Sequence, residues 1–202
     1  MRTKQLLAPT CLSALIYVSG CAGVGQDVQA GRNALQTGRA NEAVVFLMRA
    51  ADIDPNYKTP SRVPAGALTL LGRAYYETGK NAEARKTLEK AVSINKDDPL
   101  AHLYLGLTLF RDGDPERGRK EIEGGLNGID ETLEYIASDR VNGLFWDPGM
   151  QIRAAVRKTL AAKLDGAELA MAAQQIGVQF DEEIDKARRE EGRARGGRGG
   201  DN

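Results

Sequence analysis

The feature that most constrains this chain is self-similarity at a fixed interval. Leu71-Gly72, Tyr75, Gly79, Ala84, Leu88 and Ala91 return thirty-four residues later as Leu105-Gly106, Leu109, Gly113, Gly118, Ile122 and Gly125. An earlier copy stands at Ala30-Gly31, Ala34, Gly38, Ala43, Leu47, Ala50 and Pro55. A repeat of this length is one supersecondary unit that buries its apolar side only by stacking on its neighbours. Small residues at Gly31, Gly72 and Gly106, opposite Ala43, Ala84 and Gly118, let two helices cross closely, and large side chains fill the spaces between. Gly38, Gly79 and Gly113 fit helix ends that need a positive φ, and Pro55 stops the first pair because it cannot continue a helix. No run of four or more β-branched or aromatic residues suggests a buried strand, so an all-α fold is expected.

These positions resemble the tetratricopeptide repeat, whose pattern runs Leu-Gly, a large residue, a turn glycine, alanine, a large apolar residue, alanine and proline. The resemblance implies an α-α superhelix of about three helix pairs, at about 26–59, 65–98 and 99–126, within an array spanning 21–126. It also implies that the first helix of each pair lines a concave face. Candidate partner contacts are then Arg32 and Gln36 in the first copy, Thr69, Arg73 and Tyr76 in the second, and Leu103, Leu107, Phe110 and Arg111 in the third. Arginine and aromatic side chains dominate binding hot spots, which suits a groove that reads a peptide or helix. For Leu107 and Phe110, packing beneath the C-terminal helices is an equally open reading. Members that clamp an acidic C-terminus use lysine, asparagine and arginine where this chain has Val28, Leu70, Leu100 and Tyr104, so that clamp is not implied.

Departures from the repeat carry information of their own. Between the first two copies the glycine spacing grows to forty-one, with the surplus in Lys58 to Ala65 around Pro60 and Pro64, which reads as a surface loop. Gly118, Gly124 and Gly125 weaken the second helix of the third pair, so it needs support from the C-terminal part of the chain. Helical spacing links Leu126 to Ile136, Ile152 to Leu164, and Leu169 to Ala187, predicting three C-terminal helices over 127–191 that cap the array, with folding back against its concave side as one way to do so. The glycines and arginines of 192–202 predict a disordered tail.

The first residues read as an address. Arg2 and Lys4 precede an apolar stretch from Leu6 to Val18, the layout of an export signal over 1–20 that is too short to span a bilayer stably. Val18-Ser19-Gly20-Cys21 resembles the lipobox of bacterial lipoproteins, which implies cleavage before Cys21 and acylation of its thiol. Ala22 lacks the aspartate that resembles an inner-membrane retention signal, which leans towards the outer membrane. Beyond Cys11 and Cys21 the chain has no cysteine, so its core holds by packing alone.

Lysine plus arginine (28) equals aspartate plus glutamate (28), so no overall field drives the chain onto nucleic acid. The segment Arg193 to Gly200 resembles the arginine-glycine stretches of RNA-binding proteins, but an exported protein meets no RNA. Gly79-Lys80 lacks the upstream glycine of a phosphate loop, and Asp97-Asp98 and Asp112-Gly113-Asp114 stand where turns are expected. His102, the sole histidine, is assigned to packing. Leu144-Phe145-Trp146 either plugs the core or forms an exposed apolar spot, plugging being the expectation, and Asp147-Pro148 reads as the start of the next helix. The charge run from Asp181 to Glu191 is expected to be a solvated face. The reading is a lipid-anchored adaptor for other envelope proteins at the periplasmic side, without catalysis, cofactor or metal. The alternative is a receptor for a small ligand or glycan between repeats and C-terminal helices.

Overall fold

The computed structural model describes residues 23–139 and 143–197. Cys21, the stretch 1–20 expected to be an export signal, and residues 198–202 lie outside the described residues. Among those described, eight α-helices run in order: α1 (Val24–Gln36), α2 (Ala40–Ile53), α3 (Ala67–Glu77), α4 (Asn81–Ile94), α5 (Pro99–Arg111), α6 (Pro115–Ala137), α7 (Gln151–Ala161) and α8 (Gly166–Gly197), with a 3-10 turn at Gly143–Phe145. The all-α expectation holds, and no described helix is long and apolar enough to cross a membrane.

Three hairpins, α1/α2, α3/α4 and α5/α6, repeat one local geometry. Gly38, Gly79 and Gly113 take φ of 73°, 73° and 81°. At each turn two backbone bonds close the first helix: Gly38 N to Leu35 O and Arg39 N to Ala34 O, then Gly79 N to Tyr76 O and Lys80 N to Tyr75 O, then Gly113 N to Phe110 O and Asp114 N to Leu109 O. This double bond is the cap that glycine permits without a Cβ penalty. Within the hairpins Gly31 and Gly72 occupy matching places. A Cβ on either would overlap the Leu47 or Leu88 side chain at Cγ. Gly106 sits against less yielding neighbours, since its Cβ would fall 2.6 Å from backbone atoms of Gly118 and Ile122. The neighbours that demand glycine are thus Leu47, Leu88 and the Gly118–Ile122 turn of α6, whereas Ala43 and Ala84, expected opposite the glycines, are fully buried in the second helices of their hairpins.

The third pair departs from expectation. No break occurs near residue 126: α6 runs unbroken for 23 residues and absorbs the first of the three predicted C-terminal helices, leaving two. Its glycines do not end the helix. A Cβ on Gly125 would fall 2.7 Å from Leu103 N and Pro99 O of α5, so close packing offsets poor propensity. Asp98 and Asp114, each followed by proline, cap α5 and α6 through their side chains. Helix α7 starts at Gln151, later than the Asp147-Pro148 pair suggested. Asp147 still serves it, its carboxylate accepting from Ile152 N and Arg153 N. That reach places Asp147 and Met150 at φ of 43° and 54°. The predicted disordered tail is also corrected in part, since α8 continues to Gly197. Glu191, held by Trp146 Nε1 at 2.9 Å, fastens the last turns against the rest of the molecule.

The loop between α2 and α3 is not wholly superficial, because Val63 and Thr59 are buried. One apolar cluster joins α1, α2 and α3, and a larger one runs from α3 and α4 through α5, α6, α7 and α8. The apolar trio splits: Trp146 plugs the larger cluster, Phe145 packs partly against it, and Leu144 is exposed.

Candidate functional site: a concave groove filled by the last helix

The concave face expected to meet a partner is occupied by α8. Arg32 donates to Asp181 Oδ1 at 2.7 Å, and Arg73 Nη1 donates to Asp181 Oδ2 at 2.9 Å, so two arginines from successive repeats close on one carboxylate. Asp185, one helical turn on, lies 3.3 Å from Arg32 and accepts from Gln36 Nε2. Tyr76 donates its hydroxyl to Gln174 at 3.0 Å. Lower in the groove contact is steric: a Cβ on Gly177 would come 2.6 Å from Leu103 Cδ2, and one on Gly166 would come 2.7 Å from Phe110. Glycine in α8 lets it lie flush on α5.

Arg32, Thr69, Arg73, Tyr76, Leu103 and Leu107 are accordingly buried, Phe110 is half-buried, and only Gln36 and Arg111 stay exposed at the rim. The open groove implied by the sequence is replaced by an intramolecular interface. For Leu107 and Phe110 packing beneath the C-terminal region is the outcome. Thr69 turns elsewhere, its hydroxyl bonding Asp98 Oδ2 at 2.7 Å. Arg111 stacks 3.5 Å above the Tyr76 ring and donates to the Tyr76 carbonyl. The run from Asp181 to Glu191 is corrected too. Asp181, Glu183 and Asp185 are buried and bonded, whereas Glu182, Lys186, Arg188 and Arg189 meet solvent.

Electrostatics explains why the interior accepts these charges. An arginine is rarely buried unless each charge finds a partner. Burial works against the Arg73 guanidinium, but Tyr104, Asp181 and Glu77 outweigh it and raise its pKa, fixing the cation. The Tyr104 ring lies 5.4 Å from that guanidinium and edge-on to Tyr76 at 5.8 Å. Burial pushes the Tyr104 hydroxyl up, and the same cause, partly opposed by Arg111, raises Tyr76. Burial also raises the Asp98 carboxyl despite bonds from Thr69, Ala101 and Leu100.

Beyond the groove, His102 does more than pack. Its Nδ1 lies 2.6 Å from Glu121 Oε2 and its Nε2 lies 2.8 Å from the Lys96 carbonyl, tying α5 to α6 and to the preceding turn. Glu183 accepts from Asp147 N at 2.7 Å, and Arg62 pairs with Glu191 and with Asp139 after α6, so the far end of α8 is fastened both to the loop before α7 and to the loop before α3. Asp181 and Asp185 are the groove residues that sequence reasoning missed. Their spacing of four, beside the apolar Phe180 and Ile184, places both on the flank of the buried stripe and was the available signal.

Paired helices, turn glycines and a concave face define a helical-repeat protein, and comparison with known proteins identifies the repeat. Residues 28–57 match the family model described as tetratricopeptide repeat, and residues 72–113 match one described as TPR repeat. The chain is 28% identical to tetratricopeptide repeat protein 13 of Homo sapiens over 99 residues, which make up 49% of this chain. That stretch covers 10% of the human protein. The chain therefore carries tetratricopeptide repeats, an architecture that typically binds proteins.

Proposed function

We propose that this protein is a lipid-anchored adaptor at the periplasmic side of a bacterial membrane, held by acylated Cys21 and binding envelope proteins in assembly, secretion or cell-wall maintenance. The observation that supports a partner surface lies on the convex side of the first repeat. Helix α2 exposes Val45 (58%) and Met48 (43%). The corresponding positions carry Lys86 and Glu89 in α4, and Lys120 and Glu123 in α6. Stacking does not require apolar residues there, since two later repeats stack with charges. Half-buried Phe46 adjoins them, with Arg49 5.2 Å above its ring. With α8 filling the groove, a protein partner docks on this patch.

A photo-crosslinking residue at Val45 or Met48 in intact cells is expected to yield a discrete protein adduct that is absent from position 86. The adduct at Val45 should vanish when Met48 becomes glutamate. Equal crosslinking at positions 45 and 86 removes this reading. The anchor has its own test: mature protein whose N-terminal peptide carries no acyl chains, with Cys21 unmodified, would refute it.

The receptor reading is supported by a cavity of about 150 Å³ between α8 and the array, lined on one side by Leu70, Leu100, Phe180 and Ile184 and on the other by Arg62, Asp97, Asp98 and Thr132. It suits a small ligand with an apolar body and a polar end. Native mass spectrometry of protein purified from cells should then show a bound mass that Thr132→Trp expels, and protein carrying no such mass rules this out.

A further inference from the structure

We infer that one rim of the slab lies against the bilayer, an inference that rests on the reading of Cys21 as the anchor. Three contacts define the rim: Gly25 faces the Tyr57 hydroxyl, Thr69 bonds Asp98, and Arg62 bonds Asp139. Together they bring the starts of α1, α3 and α5 to the same side as the ends of α2, α4 and α6. Helix α6 overhangs this rim. Its Gly128 packs on Pro99, the first residue of α5, and nine further residues at 1.5 Å each carry it about 13 Å beyond.

The rim collects four of the eight large apolar side chains that are exposed among the described residues. Ile53 (64%) ends α2, Ile94 is exposed at the matching position of α4, Tyr135 (80%) stands on the α6 overhang, and Leu144 (70%) comes next in the 3-10 turn. The opposite rim, at the glycine turns, presents Arg39, Lys80, Asp112 and Arg117 to solvent. Both rims carry charges, the first exposing Asp52, Lys58, Lys96, Asp97, Glu131 and Glu134, but only the first also gathers large apolar side chains, although both are turns between helices of the same kind.

Where the chain enters decides what covers the apolar rim. Helix α1 opens there at Val24, and Cys21 is three residues earlier, a separation that an extended chain spans in at most about 11 Å. An acyl chain on Cys21 thus holds this rim within reach of the lipid headgroups. Residues strung along a rim suit a plane better than a pocketed protein surface, and tyrosine with leucine and isoleucine is the set that inserts at a membrane interface. The bilayer therefore fixes the slab upright, with the convex face of α2 turned sideways into the periplasm.

The test uses full-length protein extracted with its lipid and reconstituted into phosphatidylethanolamine and phosphatidylglycerol vesicles. An environment-sensitive fluorophore is placed in turn at positions 53, 135 and 144, and at 80 and 112 on the opposite rim. Probes at 53, 135 and 144 should be quenched by nitroxide-bearing lipids and shielded from iodide, with the reverse at 80 and 112. Equal iodide quenching at both rims overturns the inference. Mass analysis of the N-terminal peptide reports acylation separately. If the anchor is absent, flotation of the Cys21→Ser protein with the same vesicles decides: Tyr135→Asp with Leu144→Asp should cut partitioning by about tenfold or more, the scale of losing one large inserted side chain. Unchanged partitioning overturns the inference in that case. Both aspartates replace exposed side chains, and an unchanged helical spectrum confirms folding.

Discussion

Arg32 in the first helix and Asp181 in the last, 149 positions apart, meet at 2.7 Å with both side chains almost fully buried. Arg73 closes the other carboxylate oxygen, so one aspartate bridges two repeats, with Asp185 and Glu77 supplying the remaining negative charge. Replacing Asp181 by alanine leaves both guanidinium groups in the interior with only Asp185 and Glu77 to face them. The expected loss is about 3 kcal/mol, at the lower end for breaking a buried pair. The quadruple change Arg32→Met, Arg73→Met, Asp181→Leu and Asp185→Asn should come much closer to the parent, because it removes the buried charges together with their desolvation cost and leaves only the partly exposed Glu77. Urea denaturation of the two variants checks the contrast.

Two glycines in neighbouring helices should respond oppositely to the same substitution. Alanine at Gly106 meets backbone atoms at 2.6 Å that cannot swing away, and it should cost about 1–3 kcal/mol as the hairpin is forced apart. Alanine at Gly124 in α6 meets nothing within 4 Å and should stabilise by about 1 kcal/mol through helix propensity. Thermal unfolding of both variants measures the difference in sign.

His102 makes stability depend on pH. Burial disfavours its charged form, but the bonds to Glu121 and the Lys96 carbonyl prevail and raise its folded-state pKa. Both ring nitrogens face acceptors, so only the imidazolium satisfies both bonds. A raised pKa contributes stability that is fully present below the unfolded value, about 6.5, and is lost as pH rises through the folded value. Relative to His102→Gln, the parent protein should therefore lose stability between mildly acidic and alkaline pH. The single histidine resonance gives the titration directly by NMR.

The turns and crossings were legible because they are local. Positive φ at Gly38, Gly79 and Gly113 follows from helices that must end within a residue or two, and the closeness of Gly31 and Gly72 to the facing helix follows from hairpin register. The unbroken α6 was not legible. Gly118, Gly124 and Gly125 read as weakness in isolation, and only contact with Gly106 and Phe110 at the first, and with Pro99 and Leu103 at the last, turns these two into packing surface. For Asp147 the sequence indicated a cap but misplaced the helix by several residues, since side-chain reach and backbone strain together set the starting point.

Sequence by itself determined the pairing of helices, their turns and their common concave side, because these arise from interactions within one repeat and are written in its spacing. The course of α8 was decided only by the tertiary structure. A run such as Asp181 to Glu191 has the same composition whether it faces water or two arginines, and the choice depends on which distant charges the completed groove brings within 3 Å. Local pattern carries no record of that distance, so the site expected to greet a partner proved to hold the chain's own last helix.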